Sequence, residues 1–212
     1  MPGNGGFNGW LVVGLGNPEQ RYARTRHNAG FEVVESLAGR WGVSGWSRRF
    51  HGLFAVAGPQ DVPGGVLLLK PLTYMNLSGR AVQAAMTFHR VRPERVLVVH
   101  DEMDIDSGTV LVKVGGGTAG HRGLESIVDA VGAGFVRLRI GIGRPPARGA
   151  VDHVLSTFRP DEAEAFERAV ALAADVATAV LARGPAAAMN EFHRRRNRVG
   201  PASGPLDGAP TA

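Results

Sequence analysis

A chain of 212 residues, 44% of them apolar, is sized for one α/β domain and can bury an ordinary core. It has no cysteine, which excludes a disulfide, a thiolate nucleophile and a Cys-ligated zinc. No apolar run approaches the roughly 18–20 residues of a membrane span, and residues 1–8 show no secretory signal, so a soluble cytoplasmic protein is expected.

The run Trp10 to Val13 reads as a buried strand that stops at Gly14. A Gly/Asn/Pro bend through Asn17 follows, then a basic stretch that holds Tyr22 and ends at His27. Phe31, Val34, Leu37, Ala38 and Trp41 recur at helical spacing, which predicts a helix over about 28–41. Leu53–Ala57 and Val66–Leu69 are strands able to pair as a hairpin. A second helix opens at Asn76 or Ser78 as N-cap and carries Leu77, Ala81, Ala84, Ala85 and Phe88 on one face. Strands Val96–Val99 and Val110–Val114 precede a third helix from about His121. Phe135–Ile142 alternates, with Val136, Leu138, Ile140 and Ile142 on one side and Arg137 and Arg139 on the other. A long helix over about 161–182, acidic in its first turns as the macrodipole favours, and a short one through Met189 and Phe192 close the chain. Interspersed strands and helices predict a single-domain three-layer α/β/α sandwich with a mixed, mostly parallel twisted sheet. It should occupy residues 9–196, between disordered tails at 1–8 and 197–212.

Lysine and arginine outnumber the acids 24 to 19, a weak lean towards a polyanionic partner. Acidic residues gather in 161–175. The basic ones lie around Arg21, Arg24 and Arg26, at Arg137, Arg139 and Arg144, and in 194–198, the last cluster reading as a solvated helix end. His27 sits between a strand's carboxyl end and a helix start, where open α/β sheets place ligands and catalytic groups, and histidine exchanges protons near neutrality. Two nucleotide motifs begin and fail. After Gly14 and Gly16 the third glycine position holds Glu19, and after Gly115 and Gly120 the Lys-Ser/Thr of a P-loop is replaced by His121-Arg122. Asp101, Glu102 and Asp104 follow an apolar strand and suit either a hard metal ion or a carboxylate that orients a histidine. The glycine-rich run 115–123 leads into a helix start, where backbone amides favour an anion.

Five segments in register make a resemblance specific: Gly14–Pro18 with Thr25–Gly30, Lys70–Gly79, His100–Asp104, Gly115–Gly123 and Arg139–Pro145. Over about residues 10–193 the chain resembles the bacterial peptidyl-tRNA hydrolase family. The resemblance implies hydrolysis of the ester between peptide and tRNA, in translation and ribosome rescue, by a cytoplasmic monomer that needs no cofactor and no metal. It pairs Asp101 with His27 as the general base and gives Asn17 and Asn76 the task of holding the peptide and the tRNA end. Tyr22 and Tyr74 become candidates for stacking on unpaired bases. Lys113 and Arg139 match basic positions that clamp the tRNA 5′ phosphate. One residue departs. The family usually has Asn after the motif histidine, where it helps to position water, and this chain has Arg122, which carries no acceptor. With no cysteine and no Gly-x-Ser-x-Gly elbow, direct attack by water is expected. Two other readings stay open: a catalytically weakened RNA-binding relative, and a metal-dependent hydrolase using Asp101, Glu102 and Asp104.

Overall fold

The computed structural model describes residues 6–145 and 149–198. In chain order the elements are β1 (Trp10–Gly14), α1 (Ala29–Arg40), β2 (Ser47–Arg49), β3 (Gly52–Ala57), β4 (Val66–Pro71), α2 (Ser78–His89) and β5 (Val96–Glu102). They continue with β6 (Val110–Val114), α3 (Arg122–Val131), β7 (Val136–Gly141), α4 (Ala150–Leu155), α5 (Pro160–Arg183) and α6 (Pro185–Arg198). The seven strands form one sheet in the order β2-β3-β4-β1-β5-β7-β6. β4, β1, β5 and β7 are mutually parallel at its centre, while β3 and β6 run against their neighbours. The expected mixed sheet and the β3–β4 hairpin are both present.

Alternation along the buried strands sends successive residues to opposite faces, and each face carries its own core. Trp10, Val12, Leu68 and Val99 pack under α1, α5 and α6. Leu11, Val13, Leu69 and Val98 pack under α2 and α3. The small residues Ala169, Ala173 and Ala177 let α5 lie close on the first face. Among the described residues no helix is long and apolar enough to cross a membrane.

Four expectations need correction. Neither Asn76 nor Ser78 caps α2: Met75–Leu77 form a 3-10 turn, Asn76 is exposed within it, and the Ser78 hydroxyl donates to the Met75 carbonyl from inside the helix. Arg137, counted among the basic residues suited to a polyanion, is 2% exposed and donates to the carbonyls of Gly116 and Gly117. Residues 6–8 are not a free tail. The Phe7 N–H donates to the His89 carbonyl and its ring joins the second core. At the other end α6 continues to Arg198, two residues into the expected tail. Residues 1–5 and 199–212, and the side chains of 161 and 193–198, lie outside the described residues.

Two strained or crowded places shape the functional edge of the sheet. The two-residue turn between β2 and β3 is Phe50-His51, both at positive φ (52° and 55°), which costs a non-glycine residue about 1–2 kcal/mol. Gly30, in the first turn of α1, lies against the strand ends so closely that a Cβ would come within 2.4 Å of the Leu15 nitrogen and the Val99 oxygen. Only a bare backbone fits there, and that contact sets the depth of the turn that carries His27.

Candidate functional site

The site lies at the carboxyl ends of β1 and β5. Pairing of Gly14 with Val99, continued by the Leu15 N–H to the Val99 carbonyl at 2.9 Å, sets the two strand ends side by side. His27 occupies a 3-10 turn, Arg26–Asn28, just ahead of α1. Its neighbours fasten that turn. The Asn28 side-chain oxygen accepts from the Asn17 N–H at 2.7 Å, and the Asn28 amide donates to the Asn17 carbonyl at 3.1 Å. Buried Arg26 donates to the Ser156 hydroxyl at 2.7 Å, the Thr157 carbonyl at 2.8 Å and Glu162 at 2.6 Å.

The His27 Nδ1 and Asp101 Oδ1 are 2.9 Å apart, across 74 residues of sequence. Asp101 is 3% exposed. Burial alone would push its carboxyl up, but hydrogen bonds from His121 and then His27 outweigh this and hold it well below the usual carboxylate range. It is therefore ionised, so the nitrogen facing it carries a proton and the lone pair of His27 sits on Nε2.

A second histidine uses the same oxygen. The His121 Nε2 lies 3.2 Å from Asp101 Oδ1, while its Nδ1 accepts from the Gly123 and Leu124 N–H groups at 3.1 and 3.4 Å as the N-cap of α3. An Nδ1 that accepts from backbone leaves the proton on Nε2, so His121 donates to Asp101 and its tautomer is fixed by the helix. His121 is a functional residue absent from the sequence-based candidates. Its signal was available: histidine is an unusual N-cap where Ser, Thr, Asp and Asn prevail. The same bonds correct the expectation of free amides at this helix start, because two of them are taken by the His121 ring. His100 lies behind. Its Nδ1 donates to the Asp101 carbonyl at 2.7 Å, and burial, with His121 beside it, pushes its pKa down to about 3.

Asn17, Tyr22, His27, Asp101, His121 and Arg122 line one cleft of about 290 Å³. Exposed Arg122, the first residue of α3, has no ion pair among the described residues. Tyr74 (70% exposed) and Asn76 stand on the flanking turn, whose Met75 reaches the cleft wall. Lys113 and Arg139 line an adjoining cleft that shares Glu102 and Ala119 with the first.

The charges elsewhere differ from their sequence reading. Arg21, Arg24 and Arg26 do not form a free basic face, because they pair with Glu19, Glu167 and Glu162. The three carboxylates considered for a metal do not converge either. Asp101 serves the histidines, Glu102 pairs with Arg139 at 3.1 Å, and Asp104 pairs with Arg144 at 2.5 Å. Successive strand residues point to opposite faces, which parts Asp101 from Glu102. Among the described residues the one cluster of metal-binding size is His27, Asp101 and His121, and there both nitrogens that face the carboxylate carry protons.

A histidine held by a buried carboxylate at the wall of a cleft is an arrangement found in hydrolases. Residues 11–199 match the model of the peptidyl-tRNA hydrolase family, and the chain belongs to that family. It is 46% identical to the peptidyl-tRNA hydrolase of Sorangium cellulosum, over 95% of this chain and 93% of that protein. It is 44% identical to the one from Symbiobacterium thermophilum, over 86% and 98%. The crystal structure of peptidyl-tRNA hydrolase from Acinetobacter baumannii superposes with a TM-score of 0.80 at 41% identity, covering 90% of this chain and 97% of that one.

Proposed function

We propose that this chain hydrolyses the ester joining a peptide to the terminal ribose of tRNA, with His27 as general base. The observation that carries the reading is the 2.9 Å contact between His27 and the ionised, buried Asp101 at the wall of a cleft. His27 Nε2 takes a proton from water, and the resulting hydroxide adds to the ester carbonyl carbon. The tetrahedral oxyanion collapses with cleavage of the bond to the ribose oxygen, which takes the proton back from the imidazolium. Peptide and reusable tRNA leave. Asp101 keeps the Nδ1 proton in place and balances the imidazolium charge. With the Gly123 and Leu124 amides engaged by His121, the candidate donors for the oxyanion are the Asn17 amide, the Asn76 amide, Arg122 and the remaining backbone amides.

Lys113 and Arg139 receive the 5′ phosphate in the adjoining cleft, and Tyr22 and Tyr74 offer ring faces to the unpaired tRNA end. The protein acts as a cytoplasmic monomer in translation and ribosome rescue, without a cofactor, through one domain. The test is release of peptide from peptidyl-tRNA with and without a chelator. Turnover indifferent to the chelator supports direct water attack. Turnover that vanishes and returns with a divalent ion replaces it by a metal site, and none under either condition leaves an RNA-binding relative.

A further inference from the structure

The β2–β3 edge of the sheet ends at the same side as the cleft. Gly52 pairs with Pro71 at the end of β4, and the Leu72 N–H donates to the His51 carbonyl at 2.9 Å. From there the chain runs through Thr73 and Tyr74 to Met75 in the cleft wall. At this edge Phe50 and His51 occupy a tight turn that hairpins ordinarily fill with Asn-Gly. The Phe50 ring lies 5.0 Å from Phe54 and 5.3 Å from Phe88, and the Arg49 guanidinium lies 4.9 Å from the rings of both Phe50 and Phe88. One helical face of α2 adds Arg80, Ala84 and Thr87 beside Phe88.

Two shallow clefts meet at Phe50 and His51. Arg80 and Phe88 line one, and Arg48, Arg49 and Thr73 line the other. No Asp or Glu lines either. Arg48, Arg49 and Arg80 have no ion pair among the described residues, whereas Arg21, Arg24, Arg26, Arg40, Arg139 and Arg144 each face a carboxylate. Phe88 is 61% exposed, and the Thr73 hydroxyl is buried without a partner. Guanidinium groups with no carboxylate partner beside a largely exposed aromatic ring are what a single-stranded nucleic acid requires: cations for the backbone and a ring for a base.

We infer that this edge is a second RNA-binding surface, taking a single-stranded segment with its phosphates on Arg48, Arg49 and Arg80 and a base on Phe88. Its edge strand β2, which carries Arg48 and Arg49, lies five strand spacings from β7, roughly 24 Å across the sheet, on the far side of the catalytic cleft from Lys113 and Arg139. The strand it holds is therefore held by cations other than the Lys113 and Arg139 proposed for the 5′ phosphate.

The experiment measures binding of a fluorescent twelve-residue oligouridylate, which carries no ester, so its result stands whatever the turnover assay gives. Phe88→Ala should weaken binding about tenfold, within the range for loss of one stacked base. Arg49→Ala/Arg80→Ala should lower the slope of log affinity against log salt by about 1.4, or about 0.7 for each single-strand phosphate contact. Circular dichroism melts confirm that these surface variants fold. Wild-type affinity in both variants overturns the inference. So does a loss on Lys113→Ala as large as that of the double variant, which would put the strand on the other flank. Polyglutamate that binds as tightly as the oligonucleotide, indifferent to Phe88→Ala, overturns it in favour of an acidic protein partner.

Discussion

The middle of the functional edge and its flanks are built on opposite plans. At the middle, Asp101 is sealed from solvent and its Oδ1 receives two histidines whose other ring atoms are themselves assigned by packing or by a helix end. On the flanks, Lys113, Arg122, Arg48 and Arg49 are exposed and answer to little. The difference teaches a division of labour. A proton relay must have its geometry fixed before substrate arrives, because reorganisation during reaction raises the barrier. A phosphate grip works by releasing counterions, so its charges must stay accessible to salt. Substitutions at the middle should lower rate and spare affinity, and those on the flanks should do the reverse.

The strongest way to break that division is His27→Ala, which should reduce turnover by about 10²–10⁴, the usual worth of a general base, with tRNA affinity nearly intact. Single-turnover hydrolysis beside equilibrium binding decides it; near-normal turnover in a folded variant removes His27 from the chemistry. Asp101→Asn comes next. It keeps the shape but loses the charge that balances two histidine donors, and kcat should fall by roughly 10²–10⁴ with little change in KM. A wild-type rate would make Asp101 a structural acid only.

His100 tests the middle from behind through stability. Its folded pKa, about 3, lies below the ordinary histidine value of 6.5, so between these pH values the unfolded chain binds the extra proton. The contribution is complete above about pH 6.5 and is lost as pH falls towards 3, with a slope of up to about 1.4 kcal/mol per pH unit. Denaturant titrations of His100→Gln should show that slope reduced by one proton. An unchanged slope would mean that His100 does not stay neutral inside the fold.

Arg122 sits on the boundary between the two plans and sharpens the comparison. Arg122→Ala should lower activity severalfold, whereas Arg122→Asn, which restores the usual family residue, should retain or raise it. A loss in kcat assigns Arg122 to the oxyanion, and a rise in KM assigns it to phosphate. Equal behaviour of all three proteins would leave it pointing at solvent. The smallest effect separates the two phosphate candidates. Lys113→Ala should reduce the salt slope of tRNA binding by nearly one unit. Arg139→Ala should reduce it less, because Glu102 already neutralises that guanidinium at 3.1 Å.

Periodic apolar residues made the strands and most helices legible in the sequence. β2 was not, because Ser47, Arg48 and Arg49 are all exposed and offer no alternation. α4 is six residues long with no buried face, so it too left no pattern. The site was legible in its parts but not in its assembly. His27 stood out at a helix mouth, yet only the parallel pairing of β1 with β5 brings Asp101 to it, and no local signal encodes a contact across 74 residues. The basic residues misled for a related reason. Arg26 looks like surface charge in the sequence, and only the fold reveals Glu162 opposite.

The strand order has a consequence for how the protein is made. β6 pairs only with β7, and the outer edge of β5 is also closed by β7, although β7 is the last strand to be synthesised. A chain halted before Val136 therefore exposes the apolar ladder edge of Val96–Val99 and an unattached strand, the kind of surface on which nascent chains misassociate. Completion depends on pairings far apart in sequence, so folding should be slow for a protein of this size.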